Sequence, residues 1–250
     1  MKLACGIDIG GSGVKGALVD LTTGTYSGES VLIKTPSPAT PDAVAQVCGQ
    51  VLETLGVTPE IPVGITFTAP IVHGRVPFMA NLDPSWAGID VVELMDRNLG
   101  RTIVALNDAD AAGLGEAIYG AARGVPGVVI VTTLGTGIGS AIINDGILLP
   151  NSELGHLEVD GHDAETQASA GQKTAQNLDW VTWAGRLQSY YSHVEMLFSP
   201  DLFVIGGGVS ANHEKFLPLL NLRTPVVPAI LRNTAGIVGA AFEAARESRA

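Results

Sequence analysis

Residues 3–19 read Leu-Ala-Cys-Gly-Ile-Asp-Ile-Gly-Gly-Ser-Gly-Val-Lys-Gly-Ala-Leu-Val. An apolar run from Leu3 to Ile9 meets a glycine turn, Gly10-Gly11-Ser12-Gly13, and a second β-prone run follows from Val14 to Val19. The same plan returns further on. Val128 to Leu134 is strand-like, Gly135-Thr136-Gly137 begins a glycine turn, and Ser140 to Ile143 returns as a strand before the hairpin signal Asn144-Asp145-Gly146. Two units of strand, glycine turn and strand predict an α/β protein of two related lobes around a central cleft, with the boundary near Asp108 to Tyr119. Neither turn has the spacing of a P-loop, and neither opens a helix as a dinucleotide fingerprint requires.

Between the repeats the pattern alternates helix and strand. Val44, Val47, Cys48, Val51, Leu52 and Leu55 recur at helical spacing after Thr40, which can cap, and Pro41, which suits a first helical position. Val63 to Thr68 reads as a strand, Val91 to Leu99 as a helix ending at Gly100, Thr102 to Leu106 as a strand, and Ala111 to Tyr119 as a small-residue helix. Asp160 to Asn177 has little periodicity and reads as loop or mobile helix. Trp180 to Phe198 spaces its aromatic and aliphatic residues as a long helix, Leu202 to Ile205 is a strand before Gly206-Gly207-Gly208, and Ile237 to Arg246 is helical.

Composition narrows the function. Fourteen Lys and Arg against 25 Asp and Glu give a net charge of −11 over 250 residues, which argues against general nucleic-acid binding. Cys5 and Cys48 are too few for a disulfide framework and fit a reducing, cytoplasmic setting. No apolar stretch precedes Cys5, so a secretory leader is not expected. The uncharged run Gly124 to Asn144 is broken by Pro126 and several glycines, so no membrane span is expected.

The chemistry-bearing residues cluster at the turns. Gly10, Gly11 and Gly13 clear side chains from a place where backbone N–H groups can approach an anion, Lys15 adds positive charge, and Gly135, Thr136 and Gly137 repeat the device. Asp8 would repel phosphate there unless a divalent cation, magnesium, lay between them; otherwise it accepts hydrogen bonds from its own turn. Asp108 has the chemistry of a general base for phosphoryl transfer to an alcohol, with Asn107 beside it to hold a neighbouring hydroxyl, while the Asn107 to Asp110 cluster also suits a helix cap. Glu153-Leu154-Gly155-His156 and Gly161-His162-Asp163-Ala164-Glu165 suit the vicinal hydroxyls of a sugar; zinc is the competing use of His156 and His162, and a solvated loop is the plain reading of His162 and Asp163.

These residues resemble the ROK sugar kinases of the actin, hexokinase and heat-shock ATPase superfamily, closest to their polyphosphate-using glucokinase branch. The likeness is carried by Gly6 to Gly13, Asn81-Leu82-Asp83 with Trp86, Asn107 to Asp110, Leu134 to Ser140, Glu153 to His156, Ser199 to Ser210 and Leu222 to Ala229. It implies two ribonuclease-H-like lobes, residues 1–110 with 236–250 and residues 111–235, the C-terminal helix packing on the first lobe, and a homodimer. It implies transfer of a terminal phosphoryl group from polyphosphate, ATP or both to the 6-hydroxyl of glucose. Asp108 would then be the base; Asn81, Asn107, Glu153, His156 and Glu165 would hold the sugar; Asp8 would help position Mg2+. Gly10, Gly11, Ser12, Gly13, Lys15, Gly135, Thr136, Gly137, Gly206, Gly207 and Gly208 would line the donor path. The alternative is a strictly ATP-dependent kinase for glucose, mannose or an N-acetylated hexose. A sugar-sensing repressor is not expected, because no helix-turn-helix precedes the first strand.

Two departures from the family pattern stand out. The Cys-x-Cys-Gly zinc motif that many relatives carry after Gly-His is absent. The arginines and lysines expected after Glu165 and Ser210 in the polyphosphate branch are replaced by Gln167-Ala168-Ser169-Ala170 and Ala211-Asn212. Lys15, Lys34, Arg123, Lys173, Lys215, Arg223 and Arg232 are the remaining candidates for a polyanion track.

Overall fold

A computed structural model describes residues 2–79 and 82–248. The chain forms two compact units, one running to Gly115 and including the segment from Thr234 onward, the other spanning Glu116–Asn233. The division falls inside a helix.

The first unit holds β1 (Leu3–Ile9), β2 (Gly13–Asp20), β3 (Thr25–Tyr26), β4 (Val31–Lys34), α1 (Pro41–Thr54), β5 (Val63–Phe67), α2 (Val91–Leu99), β6 (Val104–Asn107) and the start of α3 (Asp108–Tyr119). Its sheet runs β3-β2-β1-β5-β6, with β4 also on β2. β1 is antiparallel to β2 and parallel to β5, and β5 is parallel to β6. β5 is buried at every residue, as a central parallel strand covered on both faces must be. Thr40 stands at the start of α1 in extended conformation, yet its side chain makes no capping bond; only its carbonyl receives the Val44 N–H. α2 has the bounds its sequence predicts, because both ends are local: Asp90 accepts from Glu93 N–H and Gly100 turns left-handed at φ 63°.

The second unit repeats the plan. It holds β7 (Val128–Leu134), β8 (Ile138–Asn144), β9 (Ile147–Leu149), β10 (Glu158–Val159), β11 (His162–Asp163), α4 (Glu165–Ala168), α5 (Ala170–Ala175), α6 (Trp180–Phe198), β12 (Leu202–Gly206) and β13 (Val226–Pro228). The main sheet order is β13-β12-β7-β8-β9, with β7 antiparallel to β8 and parallel to β12. Each sheet therefore places a hairpin beside a parallel pair, the ribonuclease-H-like arrangement.

Of the two readings of Asp160 to Asn177, loop or mobile helix, the structure shows helix in its later part, after a short hairpin. The segment forms the β10–β11 hairpin and two short helices because α6 and the residue Leu178 just before it supply partners. Trp183 Nε1 donates to Ala168 O, Arg186 donates to Gln167 O and Gln176 Oε1, and Lys173 Nζ donates to Leu178 O. Trp183, Tyr190 and Tyr191 of α6 are core residues.

The last element, α7 (Ala235–Glu247), belongs to the first unit and lies directly on its sheet. A Cβ at Gly6 would strike Ile237 O, and one at Gly64 would strike Ala240 O, so glycine at both positions lets helix backbone meet strand backbone.

Candidate active site

In the first unit, β1 delivers Asp8 to its carboxyl end, where the chain turns through Gly10 to Gly13. Gly10 N–H donates to Gly13 O at 3.0 Å, and Gly11 and Ser12 are exposed. Thr35, buried and unremarked in the sequence, pins this turn: its Oγ1 donates to Gly10 O at 2.6 Å. Asp8 is half-buried, and Oδ1 accepts from Thr66 Oγ1 at 2.7 Å, so the bond comes from β5 rather than from the glycine turn. Burial pushes the Asp8 carboxyl up; the Thr66 hydroxyl and the Lys15 charge, cross-strand from Asp8, pull it back.

Asn107 and Asp108 stand where β6 becomes α3. Asn107 Oδ1 accepts from Ala109 and Asp110 N–H at 2.8 and 3.1 Å, and Asp108 Oδ1 accepts from Ala109 N–H at 2.8 Å. Asn107 is thus the cap of α3, which is why the helix starts three residues before the small-residue run. Asn81 lies outside the described residues.

In the second unit, Gly135 N–H donates to Gly137 O at 3.0 Å, repeating the first turn one residue shorter. Gly207, at φ 79°, packs against Leu134, and a Cβ there would meet that backbone. This brings Gly206–Gly208 beside Gly135–Gly137. Glu165 Oε2 accepts from Ile138 N–H at 3.0 Å and lies over Gly137, so the carboxylate that heads α4 also holds the turn.

Ser140 fixes the next segment. Its Oγ donates to Ser152 O at 2.7 Å and accepts from Leu154 N–H at 2.9 Å, seating Glu153 and His156 on β8. Glu153, His156 and Glu165 come within electrostatic reach of one another. Burial pushes the Glu153 carboxyl up, His156 draws it down and Glu165 raises it again. His156 Nδ1 lies 2.8 Å from Asp163 Oδ2. This bond leads in raising the imidazole above its ordinary range, with burial opposing and Glu165, Asp163 and Glu153 adding to the rise. The plain reading of Asp163 in the sequence is solvated loop; its partner seven residues away becomes visible only once β10 and β11 pair. His162 is exposed.

Among the described residues no group of three His, Cys, Asp or Glu is placed to hold a metal ion. Of the candidate cations, Arg223 pairs with Glu195 at 3.2 Å. Lys173 and Lys215 converge on Trp180, with Nζ 4.1 and 5.4 Å from its ring centroid. Lys173 follows Gly171, whose N–H donates to Gly135 O at 2.9 Å. No helix of the described residues is long and apolar enough to cross a membrane.

Two ribonuclease-H-like sheets in one chain, each with a glycine turn at the carboxyl end of its first strand, define the actin-like ATPase fold as sugar kinases use it. The chain belongs to the ROK family, whose model matches residues 4–175. It is 47% identical over 238 residues to the polyphosphate glucokinase of Mycobacterium tuberculosis, covering 95% of this chain and 89% of that one. The crystal structure of the inorganic polyphosphate/ATP-glucomannokinase from Arthrobacter sp. strain KM superimposes with a TM-score of 0.93 at 54% identity, covering 99% of this chain and all of that one. A ROK glucokinase from Streptomyces griseus, solved with glucose and AMPPNP, shares the fold at a TM-score of 0.82 and 24% identity, covering 98% of this chain and 99% of that one.

Proposed function

We propose that this chain is a polyphosphate-glucose phosphotransferase, moving the terminal phosphoryl group of inorganic polyphosphate, and of ATP, to the 6-hydroxyl of glucose. The observation that carries this reading is the likeness, along almost the whole chain, to the Arthrobacter enzyme at 54% identity. In this reading Asp108 accepts the hydroxyl proton as the sugar oxygen attacks the terminal phosphorus, and the shortened polyphosphate or ADP leaves with the bridging oxygen. Glu153, His156 and Glu165, with Asn81 and the Asn107 amide, hold the hexose hydroxyls. Gly10 to Gly13 with Lys15, Gly135 to Gly137 and Gly206 to Gly208 take the donor phosphates.

Mg2+ fits the donor set at Asp8: one half-buried carboxylate with an oxygen beyond the Thr66 bond, all-oxygen chemistry, and no protein cage, as suits a hard cation that keeps its waters. When bound it neutralises charge on the transferring phosphate oxygens. A homodimer and a cytoplasmic location complete the proposal. The exposed Met196, Leu197 and Phe198 at the end of α6 support the first, and two free, buried cysteines support the second.

A strictly ATP-dependent hexose kinase is the second reading, favoured by the sparse positive charge after Glu165. Purified protein with glucose and Mg2+, given long-chain polyphosphate or ATP in parallel, decides between them. Glucose-6-phosphate from polyphosphate is expected; turnover with ATP alone establishes the second reading, and turnover with neither removes both.

A further inference from the structure

We infer that Asp163 is the positioning residue of the sugar site, one carboxylate that orients both His156 and Glu165. Its Oδ2 lies 2.8 Å from His156 Nδ1, and its Oδ1 accepts the backbone N–H of Glu165 at 3.2 Å. Thr166 Oγ1 donates to the Asp163 carbonyl at 2.6 Å, so the residue is itself held at the start of α4. An ionised carboxylate only accepts, so Nδ1 of His156 carries a hydrogen and the ring is fixed with Nε2 turned away from Asp163. The chain has no Cys-x-Cys-Gly motif to order this region, and Asp163 takes up that task by joining the β10–β11 hairpin to the His156 segment.

The arrangement also sets which way the hydrogen bonds to the sugar run. Glu153 and Glu165 are acceptors, so each accepts a hydrogen bond from a hexose hydroxyl. Beyond the Asn107 amide, the hydroxyl oxygens that face these two carboxylates need a donor. The charged groups facing His156 are Asp163 on β11, Glu165 on α4 and Glu153 before the Leu154–His156 turn, all acidic, and they favour the imidazolium. As the imidazolium, His156 donates at both nitrogens, Nδ1–H to Asp163 and Nε2–H to the sugar. Because its pKa is raised, this form persists above the ordinary histidine range and is lost as pH rises through the raised value, and glucose affinity falls with it.

The inference rests on the proposed glucose chemistry, and the experiment separates the two. Asp163→Asn keeps the shape and removes the charge; Asp163→Ala removes both. An NMR titration of the five imidazoles, with His156→Gln assigning the His156 signal, reads the pair without any substrate. Thermal unfolding confirms that each variant folds. For Asp163→Ala the glucose KM is expected to rise about tenfold, with kcat changing far less, the loss of one charge-assisted hydrogen bond. For Asp163→Asn the rise is smaller, and both the NMR midpoint of His156 and the pH at which glucose affinity falls move down together. An unchanged His156 midpoint, or an unchanged KM in folded variants, overturns the positioning role. A wild-type protein that titrates as described but neither binds nor phosphorylates glucose removes the parent reading instead.

Discussion

Asp108, the proposed base, is positioned with the help of its neighbours. It opens α3 with one oxygen on the Ala109 N–H, while the buried Asn107 caps the same helix turn. Replacing Asp108 by Asn preserves an oxygen for that N–H and removes the proton acceptor. Glucose-6-phosphate formation is expected to fall by about a thousandfold in Asp108→Asn, with glucose binding by calorimetry nearly unchanged. Retained turnover would take the base assignment away from Asp108. The residue types at this site were readable from the sequence, because Asn-Asp at the end of a strand is a local signal. The capping bond of Asn107 was readable only as one of two uses, since a cap and a substrate contact need the same side chain. The bonds that Thr35 makes to Gly10, Ser140 to Ser152 and Asp163 to His156 carried no signal, because each joins residues that only folding brings near.

At the scale of elements, one buried carboxylate closes the loop that returns the chain toward α7. Glu116 on α3, 1% exposed, accepts the backbone N–H groups of Ala121, Ile230 and Leu231 at 2.7, 3.1 and 2.7 Å. In Glu116→Gln one oxygen becomes a donor facing these donors. A loss of about 2 kcal/mol is expected, read as a fall of roughly 5 °C in the thermal midpoint; a midpoint within a degree of wild type would contradict the assignment. Element types were legible where the signals were local: α2 between Asp90 and Gly100, β4, β7 and α6. The Asp160 to Asn177 segment could be read only as loop or mobile helix, because its helices are short and their order comes from Trp183 and Arg186 on a later helix. Four- and six-residue helices do not sustain themselves without such contacts.

For the molecule as a whole, a net charge of −11 repels a polyanionic donor at long range, so donor binding depends on local cations. Lys173 and Lys215, drawn together at Trp180, are the pair proposed for this part. Screening weakens the repulsion as salt rises, but each phosphate contacted also releases counterions, and this second effect is the steeper. With two cations engaged, the polyphosphate KM should rise roughly tenfold between about 50 and 200 mM salt. Lys215→Ala should flatten that dependence and leave the ATP KM unaffected. A salt-independent polyphosphate KM would show that the chain is held without these cations.

The amino-acid sequence by itself determined the doubled architecture, because a strand, a glycine turn and a second strand are encoded within about 17 residues each time, by side-chain period and by the absence of Cβ atoms. It determined the family chemistry for the same reason, since those turns and the Asn-Asp and Gly-His pairs are contiguous. The tertiary structure alone decided which groups meet. Gly207 against Leu134, Glu165 over Gly137, Asp163 on His156 and two lysines on Trp180 join residues separated along the chain. Such contacts depend on how strands pair and how helices settle on them, and no local periodicity records that.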